Sequence, residues 1–272
     1  MNRKHVLESV SRSLIEDIPK KDISSSKINP TNKKASIFCK NEIILCGMPF
    51  VDELIKLIDK KLKYKTRYKE GSKIKKNTTL LWLYGDVNSI LSLERLMLNY
   101  LSFLSAISTK ANKYVEALGN KDIKILDTRK TIPQLRRLQK YAVEIGGCSN
   151  HRKNLSDAIL IKENHIKAYG SISRAYAKLK DVDADFLSVE VENIAEFKEA
   201  FSVGFKRIML DNWPIAKVKK IAEKFGNEVE IEVSGEITLN NINRYKDFNI
   251  KFISVGDLTK NISSPDMSLL IK

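Results

Sequence analysis

The feature that most constrains this chain is the rhythm of its second half. Apolar, β-branched runs at 123–127, 158–162, 186–192, 207–211, 229–233 and 252–255 recur every ~20–35 residues. Helical patterns lie between most of them, at 132–145, around 173–179, and at 193–203, 214–225 and 239–248. Strands separated by helix-length crossovers pair in parallel, because a short turn can join only antiparallel neighbours. Six such units predict an incomplete α/β barrel, with an open Rossmann-like sheet as the second choice. No G-x-G-x-x-G follows the first strand, which counts against dinucleotide binding. Pro214 at a first helical turn and Thr238 as an N-cap fit the predicted boundaries.

Residues 1–107 read differently, as an α+β unit. Helical spacing over 6–18 ends before Pro19, and short strands are predicted at 35–39, 42–46 and 78–84. The stretch 50–62 is amphipathic, with Val51, Leu54, Ile55, Leu57 and Ile58 opposed to Asp52, Glu53, Lys56 and Asp59. The Lys-rich 60–76, broken by Gly71, reads as an exposed hairpin and loop. The longest helix is predicted over 88–118, apolar on several sides and so buried. Arg95 within it reads as a buried cation without an acid at i+3 or i+4 (Leu98, Asn99), which calls for an anion.

Lys+Arg is 48 against 33 Asp+Glu, a formal charge of +15. The charge admits an anionic partner, nucleic acid included, or a solvated surface; the dominance of Lys favours the second, and the meaning rests on where the few Arg sit. Three cysteines, Cys39, Cys46 and Cys148, form no metal-ligand spacing and suit a reducing, cytoplasmic setting. No unbroken apolar run approaches the ~18 residues of a membrane span, and 1–19 carries no apolar signal-peptide core. Neither a membrane nor nucleic acid is expected as a partner.

In an α/β barrel the site lies at the C-terminal ends of the strands. Those ends supply Arg129 and Lys130, then Lys162 with His165, then Glu190, Asp211, Ser234 with Gly235, and Gly256; His151 and Arg152 lie just ahead of the second strand. Convergent cations repel, so Arg129, Lys130, Arg152 and Lys162 imply a small polyanion, which guanidiniums can grip bidentately. Glu190 and Asp211 suit ribose hydroxyls or hydrated Mg²⁺. Gly235 and Gly256 allow the backbone to approach a phosphate. Three histidines without ligand spacing argue against zinc, and Cys148 has no partner base.

The block Asp127-Thr128-Arg129-Lys130-Thr131, followed by Asn150-His151-Arg152 and Lys162-Glu163-Asn164-His165, resembles the quinolinate phosphoribosyltransferase family. Glu94-Arg95, Glu190-Val191-Glu192, Leu210-Asp211-Asn212, Ser234-Gly235 and Ser254-Val255-Gly256 extend the likeness over nearly the whole chain. The resemblance implies an open barrel over 108–263 with a phosphate site at its last strands. It also implies an N-terminal α+β open-faced sandwich, 1–107, rejoined by the tail 264–272. The implied reaction joins quinolinate to phosphoribosyl pyrophosphate with Mg²⁺ and releases CO₂, in a homodimer or larger assembly. Arg129, His151, Arg152 and Lys162 would hold quinolinate, with Arg95 reaching in from the neighbouring subunit. Lys130, Lys162, Glu190 and Asp211 would carry the chemistry, the two acids also serving Mg²⁺ through water. Ser234, Gly235, Glu236, Gly256 and Lys260 would bind the 5′-phosphate. Glu236 stands where the family has Gly or Asn and is expected to offer its backbone N–H alone. Lys260 replaces a histidine, and Ser105-Ala106-Ile107-Ser108-Thr109 replaces Ser-Gly-Ile-Ala-Thr. Alternatives are a related transferase acting on another base, such as the molybdenum-transport-associated homologues, and a basic nucleic-acid-binding protein.

Overall fold

In the computed structural model, which describes residues 1–272, contacts group the chain into two units. One comprises Met1–Asn112, Arg137–Gly146 and Asn261–Lys272; the other comprises Lys113–Arg136 and Gly147–Lys260.

In the first unit α1 (Arg3–Asp17) begins where the Asn2 side chain accepts the His5 N–H at 3.1 Å and stops at Ile18, ahead of Pro19. There follow β1 (Asn32–Cys39), β2 (Ile43–Ile44), α2 (Met48–Ile58), β3 (Lys63–Thr66), β4 (Lys73–Ile74), β5 (Thr78–Asp86), α3 (Val87–Leu118), whose residues from Lys113 on count with the second unit, and, returning later, α4 (Arg136–Ile145). The antiparallel sheet has the C-terminal strand Met267–Ile271 at one edge, then β1, β5 and β3. On β5, Leu81 and Leu83 are buried while Trp82 and Tyr84 are exposed, the period-2 signature of a sheet with one wet face. On α2, Phe50, Val51, Leu54 and Ile55 are buried, and Phe50 stacks on Tyr100 with ring centroids 4.6 Å apart. Each such side chain contributes about 1.5–3 kcal/mol by leaving water.

Three expectations change here. The stretch 60–76 is not a hairpin: β3 pairs with β5 and β4 with β2. Its middle is tied elsewhere, because the Glu70 carboxylate accepts the Gly47 and Met48 N–H groups at 2.8 and 3.0 Å, capping α2. Glu53 is buried rather than on a wet face, since Arg3 covers it with Nε 2.9 Å from Oε1. Arg95 is exposed, not buried: it shares a polar stripe with Asn99 while Leu96, Met97 and Leu98 turn inward. The helix carrying it is long and apolar enough to cross a bilayer, yet 61% of its most apolar window is buried within the fold.

The second unit holds β6 (Lys124–Leu126), β7 (Ile159–Ile161), α5 (Glu163–Tyr169), α6 (Ile172–Leu179), β8 (Leu187–Val191), α7 (Ile194–Val203), β9 (Arg207–Asp211), α8 (Ile215–Phe225), β10 (Glu230–Ser234) and β11 (Phe252–Ser254). The six strands are parallel in the order β6-β11-β10-β9-β8-β7, with no ladder between β6 and β7. The barrel is therefore open, as expected. Capping sets the helix starts and stops: Asn193 accepts the Glu196 N–H at 3.0 Å, and α7 ends on Gly204 at φ +103°. Two helices, α5 and α6, occupy the span where one was predicted. The predicted helix 239–248 is reduced to a 3-10 turn, Ile242–Tyr245. Asn241 is the reason, because its side chain accepts the Thr238 N–H at 2.8 Å and donates to the Glu236 carbonyl at 2.9 Å. Such local bonds compete with a helical ladder.

Candidate active site

The site is built outward from a buried carboxylate at the end of β6. Asp127 is fully buried; its Oδ1 accepts the His151 N–H at 2.9 Å and its own N–H donates to the Ser149 carbonyl at 3.1 Å. These bonds bring 127–131 beside 149–152, although about twenty residues separate them in sequence. Arg129 and Arg152 are the result. Arg129 Nε is buried with no hydrogen-bond partner. Arg152 Nη1 donates to the Ala158 carbonyl at 3.1 Å. Burial lowers the Arg152 pKa, and the neighbouring positive charge of Arg129 lowers it further, against the opposing pull of Glu190. Lys162, at the end of β7, forms an ion pair with Glu190 on β8. Two guanidiniums, one ammonium and one carboxylate thus converge, with donor capacity left for an anion.

The histidines divide. His151 is buried, and its Nδ1 accepts the Arg152 N–H at 2.8 Å. That geometry assigns the ring proton to Nε2, which lies 3.5 Å from Glu232 Oε1. The ring also meets Phe186 edge-on at 5.3 Å. His165 is a cap: its Nδ1 accepts the Lys162 N–H at 3.1 Å at the start of α5. Burial, with the Asp127 charge adding to it, pushes the Cys148 thiol up to about 12, far from a nucleophile's range.

The ends of β9, β10 and β11 carry tight backbone. Asn212 follows β9 at φ +57°, donates its N–H to the Ser234 carbonyl at 2.9 Å, and donates from Nδ2 to Asp211 Oδ2 at 2.8 Å. Gly235 has φ +99°, and a β-carbon there would stand 2.1 Å from Asn212 Oδ1, so no other residue fits unmoved. Glu236 follows at φ +48°, exposed, with its carbonyl bonded to Asn241. Gly256 opens a 3-10 turn, Gly256–Thr259, where a β-carbon would meet Lys130 Cδ at 3.4 Å. Thr259 Oγ1 donates to the Lys130 carbonyl at 2.8 Å, and the Lys130 N–H donates to Thr128 Oγ1 at 3.0 Å. Lys130 is in this way lodged against the Gly256 turn, with exposed Lys260 at the end of that turn. Arg95 lies in the first unit, exposed on α3.

Sequence reasoning missed the support beneath these groups, Glu232 and Arg207, which are buried and paired, with Arg207 Nε 2.9 Å from Glu232 Oε2. An acid inside a parallel strand was the available signal, because such strands are normally apolar.

An open parallel barrel with two neighbouring guanidiniums and glycine-lined loops at its strand ends is an architecture suited to an enzyme for small anionic substrates. Comparison with known proteins narrows the class. Residues 107–270 match the model of the quinolinate phosphoribosyl transferase C-terminal domain, and residues 22–105 match that of its N-terminal domain. The probable carboxylating nicotinate-nucleotide pyrophosphorylase of Bacillus subtilis is 36% identical over 99% of this chain and 94% of its own length. That of Methanocaldococcus jannaschii is 37% identical over 99% and 98%. The solved nicotinate-nucleotide pyrophosphorylase from Francisella tularensis superposes with a TM-score of 0.96 at 38% identity, covering 100% of this chain and 98% of that one. The chain belongs to the quinolinate phosphoribosyltransferase family.

Proposed function

We propose that this enzyme transfers phosphoribosyl from phosphoribosyl pyrophosphate to the ring nitrogen of quinolinate with decarboxylation. The products are nicotinate mononucleotide, CO₂ and pyrophosphate, a step of NAD biosynthesis. The observation that carries the reading is the pairing of Arg129 and Arg152, two like charges brought together with a buried Nε unspent. A vicinal dicarboxylate is the ligand that such a pair can clamp bidentately.

The chemistry follows from charge. The C1–O bond of the sugar breaks with its electron pair leaving on pyrophosphate, and the C1 cationic character is stabilised by the carboxylates of Glu190 and Asp211. The quinolinate nitrogen, held in line by Arg129, Arg152 and Lys162, gives its lone pair to C1. The ring nitrogen is then positive, so the adjacent C–CO₂ bond can break with its pair left on the ring carbon. That carbon takes a proton from an ammonium at the site, Lys130 or Lys162. Ser234, Gly235, Glu236, Gly256 and Lys260 would hold the 5′-phosphate, mainly through backbone N–H groups. Glu190 and Asp211, hard oxygen donors at the ends of adjacent strands, fit Mg²⁺, which takes one or two carboxylates together with substrate phosphates. When bound, Mg²⁺ would neutralise the leaving pyrophosphate.

We place Arg95 in the site of a neighbouring subunit, which its exposure on α3 permits, and the enzyme in the cytoplasm, where three free buried thiols persist. The test is release of labelled CO₂ from quinolinate carrying the label in the carboxyl next to nitrogen. Release is expected only when phosphoribosyl pyrophosphate is also present. Turnover of nicotinate, with quinolinate inert, would refute the reading in favour of another base.

A further inference from the structure

The barrel interior directly beneath the guanidinium clamp is charged rather than apolar. Arg207, the first residue of β9, places Nη2 2.7 Å and Nε 2.9 Å from Glu232 Oε2 on β10. Its guanidinium lies over two aromatic rings, 4.4 Å from the Phe186 centroid and 3.9 Å from that of Phe252. The other carboxylate oxygen, Oε1, accepts the Ser254 hydroxyl and faces His151 Nε2 at 3.5 Å. Glu232 is completely buried. A buried ion pair is seldom retained for stability, since well-packed apolar residues of the same volume do as well or better. This pair has another connection. Its second oxygen, held by Ser254, faces the His151 ring, whose far nitrogen holds the main-chain N–H of Arg152.

We propose that Glu232 is a positioning residue for the substrate clamp: by orienting His151 it fixes the Arg152 backbone and so the placement of the Arg152 guanidinium. The inference rests on the reading of Arg152 as a carboxylate clamp. Arg207 keeps Glu232 in place from the side away from His151, and Ser254 sets the oxygen that faces the imidazole. Loss of the carboxylate lets the ring turn, which frees the Arg152 N–H and moves a guanidinium whose bidentate grip depends on angle as well as distance. The phosphate loops stand on different bonds, those of Asn212, Ser234 and Thr259. The two substrates therefore respond differently, and this distinguishes positioning from general loss of fold.

The experiment compares Glu232→Gln, Glu232→Asp and wild type by steady-state kinetics for both substrates, with quinolinate binding measured by calorimetry. Glu232→Gln is expected to raise the quinolinate KM and Kd at least tenfold and to leave the phosphoribosyl pyrophosphate KM within twofold. Glu232→Asp, which keeps the charge, should recover part of the loss. A merely structural residue would lower the active fraction, and hence the apparent kcat, with both KM values unmoved; that result overturns the proposal. Should Glu232→Gln fail to fold, Ser254→Ala leaves the Arg207 pair intact and is expected to raise the quinolinate Kd threefold or more; an unchanged value overturns the proposal equally. Arg152→Ala separates the two levels. If it binds quinolinate like wild type, the clamp reading fails; if it loses binding while Glu232→Gln does not, the positioning inference alone fails.

Discussion

Gly235→Ala puts the smallest possible side chain on the tightest backbone of the site. At φ +99° an L-residue is strained by about 1–2 kcal/mol. The new β-carbon would stand 2.1 Å from Asn212 Oδ1 and 2.7 Å from the Asn212 backbone nitrogen. The amide end of a side chain can swing away, but the nitrogen belongs to a residue whose N–H is bonded to Ser234. The loop itself must therefore move, and overpacking of this kind adds about 1–3 kcal/mol. Gly119→Ala is the control. It also sits at positive φ, +67°, but its β-carbon would find nothing nearer than the Glu116 carbonyl at 4.0 Å. The control carries the strain without the clash.

Urea unfolding should show a loss of about 2–5 kcal/mol for Gly235→Ala against about 1–2 kcal/mol for Gly119→Ala. A displaced backbone N–H gives up a charge-assisted bond to phosphate worth about 1.5–3 kcal/mol. The KM for phosphoribosyl pyrophosphate should accordingly rise roughly 10- to 150-fold, with the quinolinate KM unchanged. An unaltered phosphoribosyl pyrophosphate KM in a folded Gly235→Ala enzyme would refute the assignment of this loop to phosphate. Equal destabilisation by the control would refute the steric argument.

Other outcomes can be checked with the same assays. Arg152→Lys keeps the charge and loses the planar fork, so quinolinate affinity should fall tenfold or more; retention of wild-type Kd would mean that Arg152 acts as a point charge. Glu236→Gly removes a non-glycine residue at φ +48° and a carboxylate beside the proposed phosphate. It should stabilise the fold by about 0.5–1 kcal/mol, strain relief less the entropy of glycine, and lower the phosphoribosyl pyrophosphate KM. A higher KM would show that the carboxylate is used. Arg95→Ala and Arg129→Ala proteins, each inactive alone, should regain activity on mixing if one protomer completes its partner's site, and silence after proven subunit exchange sinks that arrangement. Burial alone would raise the Glu232 pKa, but the His151 imidazole that faces it, the Arg207 charge and the Ser254 hydrogen bond outweigh it and hold the carboxyl below its usual value. Its contribution to stability is then complete above the unfolded-state value of about 4.3 and is lost as pH falls through the lower folded value. Urea midpoints below about pH 4 should fall more steeply for wild type than for Glu232→Gln, and parallel slopes would contradict the depressed pKa.

Much of the fold was legible because it rests on local rules. The strand 207–211 was read with its observed bounds, and the other barrel strands within two residues, since apolar β-branched runs between polar turns carry an unambiguous signal. The reading failed where side chains bond to nearby backbone. Asn241 dissolves a helix that the apolar spacing of 239–248 predicts, and Glu70 draws a Lys-rich segment into a cap instead of a hairpin. Arg95 was misplaced for a different reason. Apolar residues surround it in sequence, yet on a 32-residue helix a single wet stripe is enough to expose it.

The charged interior is the deeper case. Glu230-Ile231-Glu232-Val233-Ser234 alternates as a half-buried strand should, and alternation alone gives Glu230 and Glu232 the same environment. The structure gives them opposite ones: Glu230 is exposed and Glu232 has no solvent contact. Periodicity tells which residues share a face, but not whether that face is wet. In a barrel strand the face away from the helices looks inward, and a residue on it is exposed only near a rim. Glu230 opens the strand, whereas Glu232 sits two residues in, flanked by Met209 on β9 and Phe252 on β11. Knowing that Glu232 is buried therefore required the pairing of three strands. Knowing that it is tolerated required Arg207, the residue that begins the neighbouring strand. Site residues at strand ends are legible from sequence because the barrel rule names their location, and the groups that orient them are legible only once strand register is known.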